Sequence, residues 1–243
     1  FMNWFANWFD SKYYHILYRN RDKNEANLFI ENILKKFQPP DNAFFLDLAC
    51  GSGRHSIYLN EKGYNVDGVD LSKKSLLKAK KHQNDTLQFI VEDIRSYKKA
   101  NKYDFILNLF TSFGYFETEN DDLSVLKNVK ISLKKNGIFI LDFFNANKVI
   151  LDLKSYEKKK INNILFKIKK THDQDFVYKE INIQDQKNSY IFTEKVRLIK
   201  LERFKKYLRK LNMYLIDIFG DYQFTDSNPA SSERLILVIK KQL

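Results

Sequence analysis

The chain has 243 residues, 44% hydrophobic and 30% charged, the balance of a folded domain with one sizeable core. No apolar run approaches the roughly 20 residues that a membrane-spanning helix needs, and a single cysteine excludes an internal disulfide framework. The formal charge of +12 raises nucleic acid as a partner, yet lysine rises here together with Asn, Ile and Phe, the residues of an AT-rich coding sequence.

The N-terminal "FMNWFANWFDSKYYH" lacks the basic start, long apolar centre and small-residue cleavage site of a secretory signal, so a cytoplasmic location is expected. From Asn3 to Phe37 the pattern is helical, with Leu28, Phe29, Ile33, Leu34 and Phe37 on one face and Pro39-Pro40 ending the run. "AFFLDLA" reads as a buried strand, "GRHSIYLNEKG" as a helix closed by Gly63, and "YNVDGVD" as a second strand. Ser72 suits the N-cap of "KKSLLKAKKHQ". This cluster and "RFKKYLRK" are basic at helical spacing, which marks solvated faces, and nucleic acid is not expected as a partner.

"LQFIVED" and "YDFILNLF" are the third and fourth strands. "DDLSVLKNVKISLKKNG" aligns Leu123, Leu126, Val129 and Leu133 on a helix expected to stop at Gly137, and "IFILDFF" is the fifth strand. Apolar strands alternating with helices predict a parallel sheet covered on both faces. From Asn163 to Ile199 the pattern changes to three β-rich runs with no helix between them, which predicts an antiparallel insertion. "LERFKKYLRKLN" returns to helix, and "MYLIDIFG" and "RLILVIKK" are closing strands.

The informative stretch is "LDLACGSGRHSIYLNEKGYNVDGVDLS". Gly51 and Gly53 allow a tight turn and close approach of backbone to a ligand. Asp70, 19 residues after Gly51 (70 − 51), ends the second strand, where a carboxylate can accept both hydroxyls of a ribose. The dinucleotide pattern of three glycines is incomplete, since Ser56 stands at the third position. Asp47 points at the turn, where its charge repels a pyrophosphate and attracts a cation. The turn therefore suits an adenosine ligand that carries positive charge.

With those residues in view, "LDLACGSGR", "VDGVDLS", "FIVEDIRSY", "YDFILNLFTSFGYF" and "LKKNGIFILDFF" resemble, in order, the motifs of class I S-adenosylmethionine (SAM) dependent methyltransferases. The finer likeness is to a bacterial small-molecule-like branch with "CGxGRHS" and "NLFTSFGYF". The resemblance implies an α/β Rossmann-like sheet of order 3-2-1-4-5-7-6 with the last strand antiparallel. It implies one domain over 1–243, with a helical cap (1–40), a SAM-binding half (41–150), an antiparallel β insertion (155–200) and a closing helix and strands (201–243).

SAM, leaving S-adenosylhomocysteine, is the implied cofactor, and no metal is implied. Asp70 would hold the ribose and Asp93 the adenine amino group beside Ile94. Asp47, Ala49, Gly51, Gly53, Arg54, Leu71, Asn108 and Leu109 complete the implied cofactor set, with Tyr18 and Arg21 reaching it from the cap. Cys50 reads as a buried filler rather than a nucleophile. His55 fits packing or proton transfer. Tyr14, His15 and Tyr115 are candidate bases. The expected function is methyl transfer to a small molecule; an RNA or protein methyltransferase and a non-catalytic SAM-binding protein are the alternatives. The acceptor atom and the oligomeric state are not encoded in any motif.

Overall fold

The five apolar runs between Phe44 and Phe144 become five parallel strands. β1 (Phe44–Leu48), β2 (Asn65–Asp70), β3 (Leu87–Val91), β4 (Tyr103–Asn108) and β5 (Leu133–Phe144) lie in the order β3-β2-β1-β4-β5, in a computed structural model that describes residues 4–19 and 23–241. The central β1 is buried from Phe45 to Leu48, which is why its sequence is apolar without alternation except at Asp47. The chain then builds a separate antiparallel sheet from β6 (Tyr156–Ile161), β7 (Ile164–His172), β8 (Phe176–Asp185) and β9 (Asn188–Arg197), paired in sequence order. It returns to the first sheet as β10 (Met213–Phe219) and β11 (Arg234–Lys241). β11 lies between β5 and β10, antiparallel to both. Without the second sheet, the order is the implied 3-2-1-4-5-7-6 with the last strand antiparallel.

Helices cover both faces of the seven-stranded sheet. α1 (Trp4–Phe9), α2 (Lys12–Leu17) and α3 (Lys23–Phe37) precede it, and α3 joins α4 (Arg54–Glu61) and α5 (Lys73–Ala79) on one face. There Phe29, Ile33, Leu59 and Leu76 pack with Phe45 and Phe105. α6 (Glu119–Ser132) and α8 (Leu201–Lys210) cover the other face, while the short α7 (Ala146–Leu151) leads toward β6; Leu126, Val129, Phe204 and Leu208 pack with Phe139 and Phe143. Each large apolar side chain fully buried contributes about 1.5–3 kcal/mol, so these layers fix the strand ends on which the loops stand.

Three local expectations change. Among the described residues, the 3–37 helical pattern gives three helices serving different layers: α3 covers the main sheet, whereas α1 and α2 place Trp8, Tyr13 and Leu17 against Ile164, Phe166, Ile168, Ile181 and Ile183 of the second sheet. The second sheet has four strands, not three; "YEKKKI" hides the first because an edge strand needs few apolar residues. α6 ends at Ser132, ahead of Gly137, and the carbonyls of Ile131 and Ser132 accept from the backbone of Asn101 and Lys102. Gly137 instead lies within β5, where a Cβ would stand 3.0 Å from the Tyr103 carbonyl oxygen of the neighbouring strand.

Candidate functional site

Loops at the carboxyl ends of β1 to β4 close, with α1 and α2, around a cavity of about 360 Å³. The β1 loop is built on left-handed residues, Ala49 (φ 61°), Gly51 (φ 56°) and Gly53 (φ 79°), which turn the chain back into α4. Ala49 and Gly51 border the cavity, and Gly51 has open space where a Cβ would stand. Gly53 does not border it. A Cβ there would lie 2.7 Å from the Phe89 ring, so this glycine lets the turn pack onto β3.

Asp70 accepts from the backbone N–H of Gly51 (2.8 Å) and of Ser72 (2.7 Å), one on each oxygen. Burial raises its pKa, and those two bonds oppose the shift. Each oxygen keeps acceptor capacity for a ligand. Asp47 is almost fully buried and accepts from the Ser56 hydroxyl at 2.7 Å. Burial pushes its carboxyl up to about 7 in spite of that bond, with the Asp70 charge adding to the rise. A cation entering the cavity would favour the ionised form of this acid.

Asp93 borders the cavity from the β3 loop, gripped by Arg95, whose Nε is 3.1 Å from each oxygen and whose Nη2 is 2.6 Å from one. Ile94, Leu71 and Leu109 add apolar wall. Arg54 also borders the cavity, its guanidinium 4.5 Å from the centre of the Phe110 ring. Tyr14, His15 and Tyr18 enter from the cap and Tyr115 from the β4 loop. Burial, then the Lys78 charge, lowers the pKa of His15 and keeps its imidazole neutral near pH 7. The Tyr18 hydroxyl donates to Glu194 (2.7 Å) and accepts from Lys179, while the Tyr115 hydroxyl donates to the Thr111 carbonyl.

Besides Gly53, one expected residue lies outside the cavity wall. Asn108 is fully buried and donates to the Leu48 carbonyl at 2.9 Å, tying β4 to β1 outside the cavity wall. Arg21 lies outside the described residues. His55 does line the cavity, stacked on Phe110 at 5.2 Å. Burial takes its pKa down to about 3, and its Nε2 has no hydrogen-bond partner among the described residues.

Sequence reading did not single out Phe5, Phe9 or Ser75, which also border the cavity. It also missed the support beneath the β4 loop. Phe110 and Thr111 are both left-handed, with φ of 57° each, a costly backbone for residues with bulky or branched side chains. Asp142, fully buried at the end of β5, accepts from the Phe110 N–H at 2.7 Å. Arg234 of β11 donates to Asp142 (2.7 Å) and to the Thr111 hydroxyl (2.8 Å). No sequence signal joins positions 110, 142 and 234; the adjacency of β4, β5 and β11 does. Phe110, Tyr18 and Tyr115 also border a second cavity of about 640 Å³, whose far walls include Val149, Val196 and Arg234.

Residues 45–137 match a family described as a methyltransferase domain. YqeM of Bacillus subtilis (strain 168), provisionally named a methyltransferase, is 28% identical over 83% of this chain and 85% of its own. Ubiquinone biosynthesis O-methyltransferase of Pelagibacter ubique (strain HTCC1062) is 33% identical over 52% of each chain. A SAM-dependent methyltransferase from Clostridium acetobutylicum ATCC 824 has the same fold, with a TM-score of 0.80 over 94% of this chain and 96% of that one at 23% identity. The sugar N-methyltransferase KedS8 from Streptoalloteichus sp ATCC 53650 reaches a TM-score of 0.73 at 17% identity, covering 95% and 93%.

The methyltransferase domain and these likenesses support a SAM-dependent methyltransferase with SAM as its cofactor. The donor set fits that cofactor. The open edge at Gly51, the acceptor capacity of Asp70 and the bare Nε2 of His55 can meet a nucleoside, and the acidic walls suit a cation better than a pyrophosphate.

Proposed function

We propose that the protein methylates a small molecule held in the second cavity. The observation that carries this reading is the meeting of the two cavities at Tyr18, Phe110 and Tyr115. Residues of α1 line the first cavity and residues of β8 and β9 the second, walls that suit a small ligand better than a polymer strand. Relatives named for ubiquinone biosynthesis and for sugar N-methylation support the same class of acceptor.

When bound, SAM supplies a methyl group already activated on a sulfonium, so the protein's task is alignment and exclusion of water. Asp70 would hold the ribose hydroxyls. Asp93, its orientation set by Arg95, would accept from the adenine amino group beside Ile94, with Leu71 and Leu109 along the ring. Asp47 would balance the positive charge and Arg54 the cofactor's carboxylate. Phe5, Phe9 and Tyr14 shield the cavity from water on the cap side. Of the candidate bases, His15 has a neutral imidazole able to take a proton near pH 7, whereas the Tyr115 hydroxyl already donates to Thr111.

The test is to incubate the protein and SAM labelled in the methyl group with an extract of small molecules, RNA and protein, then fractionate. Label in the small-molecule fraction is expected, and a Val196→Trp variant that fills the second cavity should abolish it while binding S-adenosylhomocysteine normally. Label found only in RNA or protein would overturn the reading.

A further inference from the structure

Two neighbouring strands of the second sheet gather lysines on the side turned away from the cap. Along β7 the exposure alternates: Ile164, Phe166 and Ile168 are buried with α1 and α2, while Lys167 and Lys169 are exposed. The antiparallel register sets Lys158 of β6 directly opposite Lys167 and Tyr156 opposite Lys169, with Lys160 further along the same side. On β8, Asn182 faces Lys167 and Glu180 faces Lys169. None of these four lysines forms an ion pair among the described residues; the nearby Glu157 is taken by Lys159 (2.8 Å) and Lys170 (3.3 Å).

This arrangement opposes strand pairing, because like charges directly across an antiparallel ladder repel. Protection of a sheet edge explains lysines on β6, the outermost strand, but not Lys167 and Lys169 on β7, which is paired on both sides. Composition explains how many lysines the chain has, not why four share one side of two strands with a single acid facing them. Tyr156, 52% exposed, lies in the same patch with the Lys158 ammonium 5.5 Å from its ring.

We propose that this face docks single-stranded RNA, at a surface separate from the two cavities, whose walls include none of these five residues. The proposal reverses the expectation drawn from overall composition. Lysines two residues apart on a strand repeat at about 6.7 Å, and the two rows stand about 4.8 Å apart, an open cationic track that can follow an extended phosphate backbone. The exposed ring beside it offers an unpaired base a stacking surface, which a duplex cannot use. A lipid surface fits less well: Leu165 on this side is only part exposed, and Ile191, 68% exposed, lies beyond Asn182 of β8 rather than among the lysines.

Fluorescence anisotropy with a labelled short oligouridine at low salt tests this. Binding is expected, with log K falling against log salt at a slope of about −3, from four lysines at about −0.7 each. Lys167→Glu with Lys169→Glu should weaken binding at least tenfold, and Tyr156→Ala about fivefold or more. The milder Lys167→Gln with Lys169→Gln should weaken it in the same direction without charge reversal. Affinity for S-adenosylhomocysteine, measured in parallel, should be unchanged in every variant, so a failed cofactor site is recognised separately. The proposal is overturned if the wild type does not bind the oligomer, if the variants bind it equally well, or if vesicles of anionic phospholipid are bound in preference.

Discussion

Asp47 and Asp70 border one cavity and differ in what surrounds each carboxylate. Asp70 is held by two backbone donors and offers the ligand its remaining acceptor capacity. Asp70→Ala should weaken S-adenosylhomocysteine binding by roughly 1.5–3 kcal/mol in isothermal titration, the scale for hydrogen bonds to a charged group. Asp47 has one hydroxyl donor and a pKa pushed up to about 7 from the ordinary 3.8 by burial. The native chain therefore keeps a proton that the unfolded chain releases, and this group's contribution to stability falls as pH rises from about 4 to about 7. Asp47→Asn should remove that slope, leaving the ligand-free variant more stable than the wild type at pH 8. It should also reduce affinity for cationic SAM more than for the neutral S-adenosylhomocysteine. Melting curves at pH 5 and 8 and paired titrations check both; equal slopes in the two proteins would refute the assignment.

At the scale of elements, the second sheet grips the loop that carries Tyr115. Arg197 ends β9, buried, and its Nη2 donates to the carbonyls of Phe116 (3.2 Å) and Glu117 (2.8 Å), while its N–H donates to Gly114 (2.8 Å). Its Nε stands 3.0 Å from Asp122 of α6, which is fully buried. Arg197→Gln leaves that carboxylate without its cation, and a loss of about 3–5 kcal/mol is expected in urea unfolding. Adding Asp122→Asn should then cost little more, because the pair acts as one unit. The packing of Trp8, Tyr13 and Leu17 on the second sheet also makes the cap and that sheet one layer. Hydrogen exchange should accordingly show α1, α2 and β7 to β9 gaining protection together when S-adenosylhomocysteine binds; a gain confined to α1 and α2 would mean that the helices move alone. Replacing residues 172–189 by a short turn would remove all of β8, with Ile181 and Ile183, and take away part of the surface on which α1 and α2 rest.

For the whole molecule, a ligand that binds only the folded state adds stability by mass action. S-adenosylhomocysteine at about 100 times its Kd should contribute about 2.7 kcal/mol, or a rise of roughly 5–11 °C in Tm for a chain of this size. NADP at the same concentration should leave Tm unchanged, because its phosphates meet Asp47 and Asp70. A comparable shift with NADP would contradict the acidic character of the cavity.

The residues legible in the sequence are those whose geometry is local. Asp47, Gly51, Asp70 and Asp93 each sit at the end of one strand or in the turn that follows it, so the order of apolar strand, turn and helix already aims them at one edge of the sheet. The parallel sheet was legible for the same kind of reason: strands buried on both faces have no polar alternation, and the helices between them carry one apolar side. Gly53 and Asn108 show the limit, since a glycine packed on Phe89 and an asparagine bonded to Leu48 look the same in sequence as residues facing a ligand. What the tertiary structure alone decided depends on contacts distant along the chain. The division of α1 and α2 from α3 between two layers rests on Trp8 meeting Phe192, in one cluster with Ile181, and on Phe29 meeting Tyr222. The second cavity and the strained turn at Phe110 depend on β11 lying next to β5, which brings Arg234 to Asp142 across 92 residues. Strand order and side-chain packing are properties of the assembled sheet, and short-range pattern carries no information about which distant residue completes a pair.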